Sequence, residues 1–271
     1  PSDFDMMNLA ADAKEREAIR ILNPINEDLS IMRTTLASSM LNAISRNQKK
    51  GNLAGRLYEV ANKFIPKSLP LAEYPEERAT LCIGIWGTGE DFFSLKGMAN
   101  KVADTFFTKF EYEVDEKSYL HPFQCASVKL GDQVIGYLGK VAYEVAEKLD
   151  LREDAYILKL ELQYLYDVNT KATYVPLSKF PEEIRDLALV MDKNVTCGQV
   201  ENVISNSCKF VQDIKLFDVY EGGQIPADKK SMAFSVKFVP GEEAFEADAV
   251  DRFVKKILKN LKFHLDIDLR S

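Results

Sequence analysis

Two aromatic residues and two lysines form the most chemically suggestive neighbourhood of the sequence. Phe217 and Tyr220 end one alternating apolar run before the turn EGGQIPADKK, and Lys229 and Lys230 at the end of that turn open the next. Rings beside ammonium groups suit a single-stranded nucleic acid, because bases stack on the rings while the cations meet phosphates. Arg185, on an earlier run of the same region, is expected to join them across a sheet. The competing reading puts Phe217 in a core and leaves the lysines to solubilise a hairpin. Arg33 is a second candidate. Between an apolar strand end and a helix start, its fork of donors suits a phosphate or carboxylate, or a structural contact within or between subunits.

Other reactive side chains point away from catalysis. His121, followed by Pro122, has no serine or cysteine nucleophile motif beside it and reads as a capping or packing residue. Glu73, Glu76, Glu77, Glu90 and Asp91 lie in polar connections and read as solvated surface rather than a Mg2+ site. Gly84, Gly87 and Gly89 lack the lysine and hydroxyl of a phosphate-binding loop, which leaves them turn and close-packing roles. Cys82, Cys125, Cys197 and Cys208 are widely spaced, and only two histidines are present, so buried thiols are expected rather than disulfides or zinc ligands.

The 271 residues are 46% hydrophobic and 28% charged, the composition of an ordinary globular chain of one or two domains. A net charge of -7, spread along the whole length, excludes a basic nucleic-acid footprint by composition, so any RNA must be held by a local face. Apolar runs are too short to span a membrane, and acids occupy the first twenty residues where a secretory signal needs an apolar core. A cytoplasmic protein is the expectation.

These side chains must be positioned by two successive sets of elements. Asn23-Pro24 forms an extended entry to a helix over about 35–46, whose apolar residues are Leu36, Met40, Leu41 and Ile44. Residues 7–20 suggest a thin helix or helical hairpin edge. Strands are predicted over 56–64, 78–86, 111–114, 123–130, 133–138 and 155–166, with a hairpin at Gly131-Asp132. Helices are predicted over 94–110, where Ser94 could act as cap, and over 143–149. This describes an α+β domain with an antiparallel sheet covered on one face. A boundary between Asp167 and Pro181 divides domains 1–170 and 171–271. Beyond it come strand 183–191, helix 196–208, strands 211–220 and 231–239, helix 247–261 and strand 265–269, a ferredoxin-like β-α-β-β-α-β order.

Several stretches together resemble the bacterial-type phenylalanine-tRNA ligase beta subunit family. NPINEDLSIMRTTL (23–36), RLYEVANKF (56–64), DFFSLKG (91–97) and HPFQCASVKLGDQVIGYLG (121–139) resemble its class II synthetase-like core. FPEEIRDLALVMD (180–192) and IKLFDVYEGGQIPADKKSMAF (214–234) resemble its ferredoxin-fold anticodon-binding domain. The likeness covers nearly the whole chain and departs from the family pattern at PFQC (122–125) and KVAYEV (140–145).

The resemblance implies a catalytically inert core that assembles with an alpha subunit and a second beta subunit in a heterotetramer. It also implies tRNA(Phe) as partner, with Arg185, Phe217, Tyr220, Lys229 and Lys230 as tRNA-binding candidates. Asn23, Pro24 and Arg33 are expected at a subunit interface or in a structural role. No cofactor is expected on this chain, since ATP and Mg2+ belong to the alpha subunit of the family, and upstream domains including the editing module would be missing. The dispersed Arg33 and Arg78 agree with inertness, because a class II site clamps ATP with paired arginines. The alternatives are a free-standing RNA- or amino-acid-binding module and a catalytically active ligase fragment, with homodimerisation through exposed edges open to an isolated piece.

Overall fold

The computed structural model describes residues 2–168, 172, 174, 178–223 and 225–270. Two units, Pro1–Thr173 and Tyr174–Ser271, each enclose cores of their own. The expected junction at 170–171 lies outside the described residues.

In the first unit six strands pair antiparallel: β1 (Gly55–Ile65), β2 (Glu76–Trp86), β3 (Glu111–Val114), β4 (Leu120–Leu130), β5 (Gln133–Val141) and β6 (Ala155–Glu161). Their order across the sheet is β1-β2-β6-β5-β4-β3. The β1–β2 ladder runs unbroken from Gly55 opposite Trp86 to Ile65 opposite Glu76. Gly131 turns the β4–β5 hairpin at a φ of 58°, a region that glycine enters without a Cβ penalty.

Both sheet faces are covered, which corrects the expectation of one. Helix α1 (Ser2–Met6) opens the chain, and Met7 just after it joins α2 (Ala37–Lys49) over Cys82, Cys125, Tyr137 and Ile157 on one face. On the other face α3 (Phe92–Thr105) covers Leu81, Ile85, Leu138 and Leu158. The reason is visible in β6, whose residues Ala155 to Leu160 are buried without alternation, as in any strand enclosed on both sides. Gly84 lets α2 approach closely: a Cβ there would lie 2.8 Å from Met40 Cγ and 2.9 Å from Ile44 Cδ1.

Local chemistry moves several predicted boundaries. Helix α3 starts earlier because Asp91, not Ser94, is its N-cap; Asp91 accepts from the Ser94 amide at 2.6 Å, and Ser94 returns the bond. After β5 comes α4 (Tyr143–Lys148). The long strand predicted over 155–166 stops at Glu161, and Gln163–Tyr166 forms a single helical turn, α5, that buries Leu165. Residues 7–20 form turns around one 3-10 segment, Lys14–Arg16, because their apolar face is too thin to sustain a helix.

The second unit reads β7 (Glu183–Asp192), α6 (Cys197–Ser207), β8 (Val211–Tyr220), β9 (Lys229–Phe238), α7 (Ala249–Leu265) and β10 (Asp268–Leu269). The sheet order β10-β7-β9-β8, antiparallel throughout, is the predicted ferredoxin-like arrangement. Thr196 and Gln199 form a capping box at the start of α6. Helix α7 buries Val250, Ile257 and Leu261 against the sheet, and Phe253 stacks on Phe210 at 5.2 Å. Each such apolar side chain contributes on the order of 1.5–3 kcal/mol. The final strand is shorter than predicted because α7 continues to Leu265.

Candidate nucleic-acid interface

Helices α6 and α7 cover only one face of the second sheet. On that side β9 places the buried residues Met232, Phe234, Val236 and Phe238, all even-numbered. The odd-numbered residues face the other way. Tyr220 pairs with Ser231 and therefore stands on the open face. The floor beside it is made of small residues: Ser231, Ala233 and Ser235 on β9, and Ala188 on β7. From the far side of this floor Arg270 reaches across, its guanidinium carbon 5.0 Å from the centre of the Tyr220 ring. The Arg270 amide is fixed by donating to Ala188 O at 2.7 Å. The turn after β8 closes on the same ring, since a Cβ on Gly222 would lie 2.8 Å from the Tyr220 hydroxyl. An aromatic ring and a guanidinium above a floor of small side chains make a stacking platform for a planar base.

The structure divides the predicted residues between faces. Lys229 shares the face of Tyr220, whereas Lys230 lies opposite Met191 and on the helix-covered side of the sheet. Phe217 is 53% exposed at the bulge between Leu216 and Asp218 on edge strand β8, and so is not core. Arg185 does not join this group. It follows the parity of buried Leu187, Leu189 and Met191, sits at the opposite end of β7 from the strand pair Asp192–Lys229, and pairs with Glu183 at 2.8 Å and Asp251 of α7 at 3.9 Å. Arg270 carries no local motif and follows β10, with two strands, β7 and β9, between it and the Tyr220 strand, so the sequence does not point to it.

In the first unit, Asn23 and Pro24 lie in an exposed loop between Leu22, 96% exposed, and Ile25, 91% exposed. On edge strand β1, Tyr58 and Val60 are also exposed, on the sheet face opposite Leu57, Glu59 and Ala61. Arg33 joins the loop to this strand: it donates to Glu59 at 2.7 Å and to Asn62 O at 2.9 Å, while its own carbonyl accepts from the Phe64 amide.

The remaining candidates have structural partners. His121 Nδ1 accepts from the Phe123 amide, and its ring meets Tyr143 edge-on at 5.3 Å. Glu73 pairs with Lys67, Glu76 with Arg78 and Glu90 with Arg56, and Glu77 accepts from Asn62. Cys82, Cys125 and Cys208 are buried. Burial pushes the Cys82 thiol up to about 12 and the Cys125 thiol to about 11, so neither is a ready nucleophile. Among the described residues no three His, Cys, Asp or Glu side chains converge as a metal site, and no helix is long and apolar enough to cross a membrane.

Comparison with known proteins covers both units. Residues 1–162 match the family described as the phenylalanyl tRNA synthetase beta chain CLM domain, and residues 178–270 match the ferredoxin-fold anticodon binding domain. A phenylalanine–tRNA ligase beta subunit from Clostridium tetani is 36% identical over 275 residues, covering 100% of this chain and 34% of its own length. One from Clostridium acetobutylicum is 31% identical over 274 residues with the same coverage. A crystal structure of pyrrolysyl-tRNA synthetase from Desulfitobacterium hafniense aligns over 64% of each chain at 16% identity and a TM-score of 0.49. The chain thus spans about a third of the length of these two beta subunits.

Proposed function

From the premise that the chain belongs to the phenylalanyl-tRNA synthetase beta chain family, we propose that its second unit binds the anticodon region of tRNA(Phe) through the open sheet face. The first unit, on the same reading, docks an alpha subunit that carries out ATP- and Mg2+-dependent attachment of phenylalanine. The observation that carries the RNA reading is the Tyr220–Arg270 platform over a floor of small residues. Acids are interspersed with the lysines on this face, as where Asp192 pairs with Lys229, so stacking rather than a basic stripe must supply most of the selectivity.

A scaffolding role for the first unit is supported by what its arginines do. Arg78 is held by Glu76 and Glu161, and Arg33 by Glu59, so both forks are engaged by carboxylates of this chain and neither is open to triphosphate oxygens. The exposed apolar loop around Asn23 and Pro24, on the segment that Arg33 anchors to β1, and the exposed Tyr58 and Val60 on the other face of β1 offer the alpha subunit or a second beta subunit apolar surface at this edge of the sheet.

Titration with a tRNA(Phe) transcript at fixed salt tests the platform. Tyr220→Ala is expected to weaken binding by about 1–3 kcal/mol, the usual worth of one stacked base. Arg270→Ala should act in the same direction, and Lys230→Ala should cost less than either. Unchanged affinity in Tyr220→Ala overturns the assignment. For assembly, a Leu22→Asp, Tyr58→Asp double variant is expected to abolish co-elution with the alpha subunit while leaving tRNA affinity intact. Co-elution equal to that of the unsubstituted chain refutes the docking edge.

A further inference from the structure

Within the first unit lies a pocket of about 200 Å³ whose lining includes Arg78, Asp115, Lys117, Tyr137, Lys159 and Glu161. We propose that it binds a small anion bearing a carboxylate or phosphate group. This goes beyond the tRNA and subunit contacts above and depends on neither.

Glu161 is shared among more cations than its two oxygens can bond closely. Three cations from three strands converge on one carboxylate: Lys63 of β1 donates to Glu161 Oε1, Arg78 of β2 donates to Glu161 Oε2 at 3.2 Å, and Lys159 of β6 stands 4.0 Å from Oε1. Arg78 has a second carboxylate in Glu76, at 2.7 and 2.8 Å. Glu15 adds a third negative charge to the field at Lys159, so the three cations are balanced overall and what is missing is a close partner for one of them. Lys117 pairs separately with Asp115 at 2.7 Å. Buried ions require close partners, because the lost hydration is not otherwise replaced.

The cation without a close partner is Lys159. Its side chain is only 9% exposed, yet its ammonium donates no hydrogen bond among the described residues, while Glu161 accepts from Lys63 and Arg78. The ammonium lies 5.3 Å from the Tyr137 ring centre, and Lys117 lies 5.6 Å from the same centre. Tyr137 is held by a hydrogen bond from the Tyr119 hydroxyl. An anion entering here would meet the ammonium groups of Lys159 and Lys117 beside a fixed aromatic wall, while Arg78, engaged by Glu76 and Glu161, lines the pocket without a free fork.

The protonation behaviour of Lys159 agrees with this geometry. Burial, and next repulsion from Lys63, bring it down to about 8, against attraction from Glu161 and weaker attraction from Glu15 and Cys82. A bound anion opposes both causes, so binding should be coupled to proton uptake near that pH. The small volume restricts the ligand to an anionic group with few attached atoms.

The test uses the 271-residue chain with isotopically labelled lysine. The Lys159 titration midpoint is followed by NMR with acetate or inorganic phosphate against chloride at equal ionic strength. A saturable rise in midpoint corresponding to about tenfold or more in proton affinity is expected with at least one probe, and which probe acts identifies the anion class. Lys159→Met should abolish saturable thermal stabilisation by the same probe, and Lys117→Gln should weaken it several-fold, with circular dichroism unchanged in both. A midpoint that moves no further than in chloride overturns the proposal. So does saturable stabilisation that survives in Lys159→Met.

Discussion

Glu161→Ala is expected to destabilise the first unit by about 3–5 kcal/mol, the range for removing one partner from a buried ion pair. The side chains of Glu161 and Lys63 are 15% and 7% exposed, and Lys159 is as enclosed as Lys63. Without the carboxylate, two enclosed ammonium groups lose their hydrogen-bonded or nearest anion, and Arg78 keeps only Glu76. Trp86 is the one tryptophan of the sequence, is 2% exposed in the first unit, and donates to Asn52 O at 2.8 Å, so its fluorescence follows this unfolding directly. In urea at pH 7 its transition should move to markedly lower denaturant. A loss below about 1 kcal/mol would refute a central role for the carboxylate.

The pH dependence of this loss has a definite sign. Burial alone would raise the Glu161 carboxyl, but the hydrogen bond from Lys63 and the charges of Lys63, Lys159 and Arg78 hold it below the usual carboxylate value. A depressed carboxyl stabilises the fold above its unfolded-state value, and that contribution disappears as pH falls through the folded-state value. The gap between the unsubstituted chain and Glu161→Ala should therefore narrow in acid. Lys159 acts in the opposite sense: with its folded value lowered to about 8, it weakens the fold at neutral pH, and stability recovers between there and the ordinary lysine value. Adding Lys159→Met to Glu161→Ala should restore part of the loss, since one uncompensated ammonium is then absent.

The cluster also shows which features a sequence exposes. Lys63 and Glu161 are separated by 98 positions, and only the sheet order β1-β2-β6 brings them together. Nothing local to either residue announces that partnership. Glu161 also fell inside a predicted strand that in fact ends there, because the apolar residues of 162–166 continue a pattern that a single helical turn satisfies equally well.

The second unit was more legible, since its six elements follow from alternation, helical spacing and one hairpin-like turn. The position of Arg185 was legible too: it continues the odd-numbered series Leu187, Leu189 and Met191, which assigns it to the core side of β7. Adjacent Lys229 and Lys230 had to oppose each other for the same reason. Arg270 was different. Its meeting with Tyr220 requires β10 to dock beside β7 and β9 to lie between β7 and β8, an order that no short stretch encodes.

Phe234→Ala is expected to remove about 3–5 kcal/mol from the second unit, the usual loss when a fully enclosed phenylalanine is truncated. Phe234 is 0% exposed on β9, where it pairs with Leu187 of β7 on one side and Leu216 of β8 on the other. Truncation leaves a void at the centre of the core shared with Val200, Ile204 and Leu261. For a domain of this size the loss corresponds to a fall of at least about 12 °C in the melting temperature. Hydrogen exchange over 211–238 should accelerate, whereas Trp86 fluorescence should keep its transition, because every buried residue of the Phe234 core belongs to the second unit. Affinity for tRNA should fall with the folded fraction as the temperature rises, unlike the loss in Tyr220→Ala, which is expected even where the domain is fully folded. A Phe234→Ala chain with unchanged exchange in β8 and β9 would contradict a core centred on that ring.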